Sequence, residues 1–115
     1  MKVIVAGSRT FIDYGLVRDI LNGLREHNNM GTIISGHARG ADMLGEKYAI
    51  DYKLLLEVYP AEWDKHGNKA GFIRNEQMAK EGDLLVAFWD GKSKGTQHTI
   101  RIAKQLHKPC LIIKV

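Results

Sequence analysis

With 115 residues, 44% of them apolar and 26% charged, the chain fits one globular domain and is too short for two. This composition excludes a disordered chain, and the single cysteine, Cys110, excludes an internal disulfide. The formal charge of +4 suits a partner that carries phosphate, but it suits an ordinary lysine-rich surface equally well. No apolar stretch is long enough for a signal peptide or a membrane span, so we expect a cytoplasmic protein.

Five short apolar runs predict the strands of a parallel sheet. They are continuously apolar rather than alternating, which is typical of strands that helices cover on both faces. The runs span residues 2–6, 32–35, 54–59, 83–89 and 110–115. Cys110 falls in the last run, where a small buried thiol is expected.

Helical patterns fill the intervals between these runs. Apolar residues recur every three or four positions over residues 12–24 and 41–52, more weakly over 70–80, and again over 100–106. The alternation of strands and helices predicts a three-layer, doubly wound α/β fold with a five-stranded parallel sheet, in a single domain spanning residues 1–115. Residues 60–71 form one long irregular connection, and connections of that length are often functional.

The turn after the second strand is the most informative segment, Ser35-Gly36-His37-Ala38-Arg39-Gly40-Ala41-Asp42. Ligands of doubly wound sheets bind beyond the carboxyl ends of the strands, where backbone N–H groups and helix N-termini attract phosphate. Gly36 and Gly40 permit close approach of the backbone to a ligand, and Arg39 can reach an anion. Asp42 falls in the first turn of the next helix, where it either stabilises the helix dipole or binds a ribose hydroxyl or a base.

The turn after the first strand, Gly7-Ser8-Arg9-Thr10, combines a tight bend with two hydroxyl groups and a guanidinium. Arg9 is suited to hold a phosphate bidentately, and the alternative is a solvated side chain. Thr10 is expected to cap the helix that follows.

The turn after the fourth strand adds polar groups to the same edge of the sheet. Gly95 and Thr96 stand at a helix start, where Thr96 is a helix cap, a phosphate contact or both. His98 lies near that start and faces either the site or solvent. Trp89 ends the strand either as a core residue or as a surface on which a base stacks.

Several familiar sites are absent from the sequence. There is no Walker A motif, no G-x-G-x-x-G after the first strand and no G-x-S-x-G elbow. The five histidines (27, 37, 66, 98 and 107) lack metal-ligand spacing, and one cysteine cannot supply a zinc site. We therefore expect neither a metal nor a cofactor.

Four segments that span nearly the whole chain form a set: residues 5–9 (Val-Ala-Gly-Ser-Arg), 35–42, 61–64 with 71–75, and 87–91 with 95, 96 and 98. Together they resemble the SLOG superfamily of Rossmann-like proteins, in particular its YspA or cpYpsA-related branch. The resemblance implies a pocket for a nucleotide-related ligand, formed by Gly7, Ser8, Arg9, Gly36, Arg39, Gly40, Asp42, Arg74, Asn75, Gly95 and Thr96. It also implies phage, plasmid or nucleotide-based defence contexts and self-association into a homo-oligomer.

Two departures from that family are visible in the sequence. His37 stands at the second glycine of the family's Gly-Gly-Ala-Arg-Gly-Ala-Asp turn, where a side chain either crowds a contact between backbone and phosphate or adds a ligand donor. Residues 94–99, Lys-Gly-Thr-Gln-His-Thr, lack the Pro-Gly-Gly and the glutamate of relatives that cleave cytokinin ribotides. The second departure argues against phosphoribohydrolase chemistry.

Three functions are compatible with these residues. The first is a module that binds a nucleotide or an ADP-ribose-like molecule, as a sensor or a sequestering protein. The second is an enzyme that cleaves an N-glycosidic or phosphate bond, with Asp42, Asp64, Asp90 and His98 as candidate catalytic groups that have no partner visible in the sequence. The third is single-stranded DNA binding, which calls for a continuous basic groove, whereas the lysines here are dispersed. We expect a small-molecule nucleotide, and not nucleic acid, as the partner.

Overall fold

The computed structural model describes residues 1–115 as one sheet with helices on both faces. Five parallel strands lie in the order β3-β2-β1-β4-β5: β1 (Lys2–Gly7), β2 (Thr32–Ser35), β3 (Leu55–Val58), β4 (Leu84–Trp89) and β5 (Cys110–Lys114). The five α-helices are α1 (Tyr14–His27), α2 (Ala41–Asp51), α3 (Trp63–His66), α4 (Ala70–Glu81) and α5 (Lys94–Gln105). The predicted doubly wound α/β fold is confirmed. None of the helices is long and apolar enough to cross a membrane.

Two apolar clusters hold the helices against the sheet, one on each face. On one face, β1 and β4 pack against α1 and α2 through Val5, Phe88, Leu21 and Tyr48. On the other face, the same strands pack against α4 and α5 through Ile4, Leu85, Met78 and Ile100. Because successive strand residues point to opposite faces, the continuous apolar runs of the central strands supply both clusters. Full burial of each such side chain contributes roughly 2 kcal/mol.

The outer strands are more exposed than the sequence predicts. The apolar runs predict five buried strands, but β3 and β5 form the two edges of the sheet. Leu55 keeps 72% of its surface accessible, and Leu111 and Ile112 are also exposed. Cys110 is half-buried rather than part of the core, and this burial raises the pKa of its thiol. The prediction is wrong here because apolar content does not reveal which strands lack a neighbour.

Two local predictions fail in the connections. α1 begins at Tyr14 because the carboxylate of Asp13 accepts a hydrogen bond from a backbone N–H of the first turn at 3.1 Å. Thr10 therefore does not cap α1 and lies exposed in the preceding turn. Residues 60–71 are not irregular, because they contain α3, a 3-10 turn at Gly67–Lys69 and the start of α4.

The sheet order places a crevice at the carboxyl ends of β1 and β4. β1 leads into α1 on one face of the sheet, and β4 leads into α5 on the other face. The connections therefore diverge between these two strands, which is the position where ligands of doubly wound sheets bind.

Candidate functional site

Two adjoining cavities occupy the carboxyl edge of the sheet. The smaller has a volume of about 60 Å³ and lies against β1, α4 and the start of α5. The larger has a volume of about 320 Å³ and lies between the β2–α2 turn and the segment that leads into α3. Arg9, Ala38 and Arg74 line both cavities, so the two form one continuous site.

Besides Arg9 and Arg74, the smaller cavity is lined by uncharged polar groups and one carboxylate. Asn75 of α4 and Thr96 and Thr99 of α5 are buried in its wall, together with Asp42 of α2. The Asn75 amide donates to the carbonyl oxygen of Gly95 at 3.3 Å, which ties α4 to the first turn of α5. No side chain caps that first turn. A helix N-terminus without a capping side chain favours an anion or a hydroxyl oxygen of a ligand.

Asp42 is the carboxylate of the smaller cavity, and it lies in the first turn of α2. Its burial raises the pKa of this carboxyl to about 6. The backbone N–H of Ala38, which donates to Oδ2 at 3.3 Å, and the positive charge of Arg74 oppose that rise. Asp42 therefore holds a proton in mildly acidic solution and loses it close to neutral pH.

Arg74 of α4 connects the second half of the chain to the β2–α2 turn. Its Nη1 donates to the carbonyl oxygen of Gly36 at 2.6 Å, and its Nε donates to Oδ1 of Asn75 at 2.8 Å. Glycine at position 36 permits this approach, because a Cβ there would lie 2.8 Å from Nη1 and 2.9 Å from an Asp42 oxygen. Partial burial lowers the pKa of Arg74, and the nearby Asp42 charge opposes this change, so the guanidinium stays charged.

The larger cavity is lined by three arginines and an indole ring. Arg9 and Arg39 are exposed residues of the two glycine turns, and Arg74 reaches the cavity from α4. Trp63, the first residue of α3, is 55% exposed and lines the same cavity. Guanidinium groups bind phosphate bidentately, and an exposed indole face stacks on an aromatic base. These are the groups that a phosphorylated aromatic ligand requires.

His37 adopts a left-handed backbone conformation with φ of 62°, which is uncommon for a residue with a Cβ. Its Nδ1 lies 2.9 Å from Oε2 of Glu46, a buried residue of α2. Glu46 is absent from the sequence-predicted site. The sequence signal that could have identified Glu46 is its spacing of four residues from Asp42, which places both carboxylates on one face of α2.

Most residues of the predicted site lie together at the carboxyl edge. Those that line the two cavities are Gly7, Arg9, Gly36, His37, Arg39, Asp42, Arg74, Asn75, Gly95 and Thr96. Ser8 and Gly40 support the site without lining it. Ser8 Oγ accepts a hydrogen bond from the backbone N–H of Asp90 at 3.0 Å, and Gly40 packs against the Ser8 backbone.

Besides Ser8 and Gly40, five predicted residues do not line either cavity: Thr10, Asp64, Trp89, Asp90 and His98. Asp64 is exposed on α3. Trp89 packs against the core cluster under α4 and α5, and its indole N–H donates to the carbonyl oxygen of Ser93 at 3.0 Å. The His98 ring meets Phe72 edge-on, with 4.5 Å between ring centroids, and partial burial lowers its pKa. Of the two tryptophans, Trp63 is the one that lines the candidate site.

The carboxylate of Asp90 stabilises the turn that precedes α5. Its Oδ1 accepts hydrogen bonds from the backbone N–H groups of Ser93 and Lys92, each at 2.8 Å. These bonds favour the ionised form and lower the pKa of the carboxyl. A carboxylate held in this way supports the turn, and it does not line either cavity.

The fold defines a Rossmann-like α/β protein whose smaller cavity lies where the strand order reverses, with the arginine-lined larger cavity adjoining it. The sequence model of the YspA, cpYpsA-related SLOG family matches residues 1–66. The chain is 33% identical over 117 residues to the Gene 61 protein of Mycobacterium phage D29, and the match covers 96% of this chain and 94% of that protein. The chain belongs to the YspA, cpYpsA-related SLOG family, which confirms the predicted resemblance.

The fold is also similar to that of DNA processing protein A from Helicobacter pylori, which binds single-stranded DNA. The TM-score is 0.74 at 17% sequence identity, and the match covers 97% of this chain. The chain spans only 64% of the length of that structure. At this identity the similarity establishes the fold alone.

Proposed function

We propose that this protein binds a nucleotide or a nucleotide-derived, ADP-ribose-like molecule, as a cytoplasmic sensor or sequestering protein. The observation that carries the proposal is the convergence of Arg9, Arg39 and Arg74 from three separate segments on one cavity that Trp63 also lines. Like charges gathered in this way repel one another until an anion compensates them. Membership of the SLOG family fits a nucleotide-related role.

The two cavities match different parts of such a ligand. The arginines of the larger cavity suit its phosphates, and Trp63 suits its base. The smaller cavity, with Asp42, Asn75 and Thr96, suits the hydroxyl groups of a ribose, because a carboxylate accepts their hydrogen bonds. Arg9 and Arg74 line both cavities, and this suits the diphosphate of an ADP-ribose-like ligand, which joins the base-bearing ribose to the second ribose.

Isothermal titration with a panel of nucleotides, ADP-ribose and single-stranded oligonucleotides tests the proposal. Arg39→Ala removes an exposed guanidinium from the larger cavity. We therefore expect nucleotide binding to weaken roughly tenfold or more, while the free energy of unfolding stays unchanged. Arg18→Ala is the matched control, because Arg18 is an exposed arginine on α1 beside Asp19. If Arg39→Ala leaves nucleotide affinity intact, the larger cavity is not the binding site.

Hydrolysis of the ligand is a second candidate function, favoured by Asp42. A buried carboxyl whose pKa is raised to about 6 can exchange a proton with a bound ligand near neutral pH. Chromatography of the incubated panel distinguishes the two functions, because release of free base or phosphate that Asp42→Asn abolishes would show an enzyme. Recovery of intact ligand supports binding alone.

Single-stranded DNA binding is a third outcome of the same panel. It is favoured by the open arginine-lined cavity with Trp63 and by the shared fold with DNA processing protein A. Oligonucleotide binding that weakens steeply with salt, in the absence of mononucleotide binding, would replace the nucleotide proposal.

Self-association is also part of the proposal. Leu111 and Ile112 are exposed on the edge strand β5, which pairs with β4 alone. An open strand edge with exposed apolar side chains favours contact with a second copy of the chain.

A further inference from the structure

The β2–α2 turn holds three polar side chains that the proposed function does not use together. Ser35 Oγ donates a hydrogen bond to Oε2 of Glu46 at 2.7 Å, and Nδ1 of His37 lies 2.9 Å from the same oxygen. The backbone N–H of His37 donates in turn to Ser35 Oγ at 3.0 Å. This closed set of contacts fixes the imidazole ring against a buried carboxylate.

The contact with Glu46 determines what the other ring nitrogen can do. An ionised carboxylate only accepts hydrogen bonds, so opposite an ionised Glu46 the Nδ1 atom of His37 carries the hydrogen. The His37 side chain is 52% exposed and lines the larger cavity, which leaves Nε2 as the nitrogen available to a ligand. A neutral His37 offers a lone pair there, and a protonated His37 offers a charged donor.

His37 is unlike every other polar side chain that lines the larger cavity. The others are Arg9, Arg39, Arg74 and Trp63, which are all donors without an acceptor atom. An anion in this cavity therefore meets side-chain donors at every position except a neutral Nε2. There, the lone pair of the nitrogen and a lone pair of the anion would repel each other. Protonation of Nε2 replaces that repulsion by a charge-assisted hydrogen bond.

The charges around His37 couple this protonation to the arrival of an anion. Glu46 of α2 contacts Nδ1 of His37, and Asp42 lies on the same helix. Three arginines line the cavity that His37 faces: Arg39 of the same turn, Arg9 of the β1–α1 turn and Arg74 of α4. The segment that leads into α3 contributes no charged side chain to the cavity wall. A bound anion compensates the positive charge of the arginines and places a negative charge beside His37, which favours a proton on Nε2 in the complex.

We infer that His37 binds a phosphate of the ligand in its protonated form, that Glu46 is its positioning residue, and that the ligand is therefore taken up together with a proton. The proton comes from solvent and goes to Nε2 of His37. The inference rests on the proposed nucleotide function and deepens it, because it assigns the ligand at least one ionised phosphate beside His37.

The backbone supports a ligand-directed role for this side chain. The left-handed conformation at position 37 is one that glycine adopts without strain, so the backbone itself does not call for histidine. Replacement by glycine or asparagine therefore preserves the turn, since both residues tolerate this conformation.

Titration calorimetry in buffers of different ionisation enthalpy measures the proton uptake directly. ADP-ribose is the probe, because its diphosphate is a diester that is fully ionised well below neutral pH and neither gains nor loses a proton near neutral pH. We expect the wild type to take up as much as one proton per ligand near neutral pH. His37→Asn abolishes this uptake and weakens binding roughly tenfold. Glu46→Gln is expected to reduce the proton uptake although His37 is retained. Asp42→Asn, measured in parallel, gives the part of the proton uptake that is due to Asp42.

His107→Asn is the matched control. His107 has the same left-handed backbone, with φ of 59°, but it lies in the α5–β5 connection at the opposite edge of the sheet. Its replacement is expected to leave proton uptake and affinity unchanged. If Glu46→Gln fails to fold, His37→Gly and His37→Asn still decide the question.

Four outcomes would overturn the inference. ADP-ribose binding without proton uptake, or uptake that survives His37→Asn, removes it and leaves the proposed function intact. If ADP-ribose does not bind, inorganic pyrophosphate is the second probe, and equal affinity for the wild type and His37→Asn removes the inference. If neither probe binds, the larger cavity is not a phosphate site, and the nucleotide panel then decides the proposed function.

Discussion

The two turns that lead into α2 and α5 both place a glycine at the start of a helix, but for different reasons. Gly40, before α2, has φ of 81°, and a Cβ there would overlap the backbone carbonyl oxygen of Ser8. Gly95, in the first turn of α5, has no heavy atom within 4 Å of the position of a Cβ. The first glycine is needed by the packing between two turns. The second leaves open space in the wall of the smaller cavity.

The two turns also differ in how they treat the charge of their aspartates. Asp42 of α2 lies beside the smaller cavity, and burial raises the pKa of its carboxyl to about 6. Asp90, before α5, accepts backbone hydrogen bonds from Ser93 and Lys92, which lower its pKa. Asp42 is thus destabilised in its charged form, whereas the charged form of Asp90 stabilises its turn. An acid whose charged form is disfavoured by the fold is the better candidate for a ligand-directed role.

Replacing Gly40 should give the largest effect. Gly40→Ala imposes a left-handed conformation on a residue with a Cβ and forces the β2–α2 turn away from Ser8, so we expect the free energy of unfolding to fall by roughly 3 to 4 kcal/mol. Urea denaturation followed by circular dichroism measures the change. Gly23→Ala is the matched control, because a Cβ at this helical position of α1 meets no atom within 4 Å and should not destabilise the fold. A loss below about 0.5 kcal/mol for Gly40→Ala would contradict the packing argument.

Replacing Asp42 should give a pH-dependent effect of the opposite sign. The folded state holds the Asp42 proton up to a pH of about 6, whereas the unfolded chain releases it near the ordinary pKa of 3.8. The stability of the wild type therefore falls as the pH rises from about 4 to about 6, and Asp42→Asn removes this loss. We expect the variant to gain up to about 3 kcal/mol over the wild type above this window and little below it.

Denaturation curves of both proteins across this pH range measure the difference. Asp90→Asn provides the contrast, because the charged form of Asp90 stabilises the fold and its removal should destabilise the protein at neutral pH. Equal pH profiles for the wild type and Asp42→Asn would show that burial does not disfavour the Asp42 charge.

Replacing Gly95 should have the smallest effect on stability. Alanine is a better helix former than glycine and meets no neighbour here, so we expect Gly95→Ala to raise the free energy of unfolding by about 0.5 to 1 kcal/mol. Nucleotide binding should weaken in the same variant, because the new Cβ enters the wall of the smaller cavity. Thermal unfolding and titration calorimetry on one preparation test both. A more stable variant with undiminished affinity would show that the space at Gly95 is not used by the ligand.

Much of the fold was accessible from the sequence because its signals are local. Continuous apolar runs identified all five strands, and helical spacing located α2 and α4 closely. Burial of β3 and β5 was predicted wrongly, since the order of strands in the sheet decides which of them lie at the edges. Thr10 and Asp13 are both good capping residues, and only the path of the chain out of β1 selects Asp13.

The predicted site follows from one rule, that carboxyl-end turns meet at the edge of a parallel sheet. This rule brings Arg9, Arg39 and Gly95 together without any knowledge of their contacts. It does not identify Glu46, whose partner His37 reaches it only through a left-handed turn. The rule places Trp63 at the same edge but does not assign it to the site, because the orientation of α3 decides whether its indole lines a cavity.

The hydrogen bond from Arg74 to the Gly36 carbonyl oxygen joins residues 38 positions apart, and Gly36 lies inside the range that the family model covers whereas Arg74 lies outside it. A ligand held by Arg9 and Arg39 from the first half of the chain and by Arg74 from the second half would act as a clamp between them. Ligand at a hundred times its dissociation constant adds about 2.7 kcal/mol to the free energy of unfolding. Under the proposed function, the cellular level of the ligand would set how long each molecule survives proteolysis.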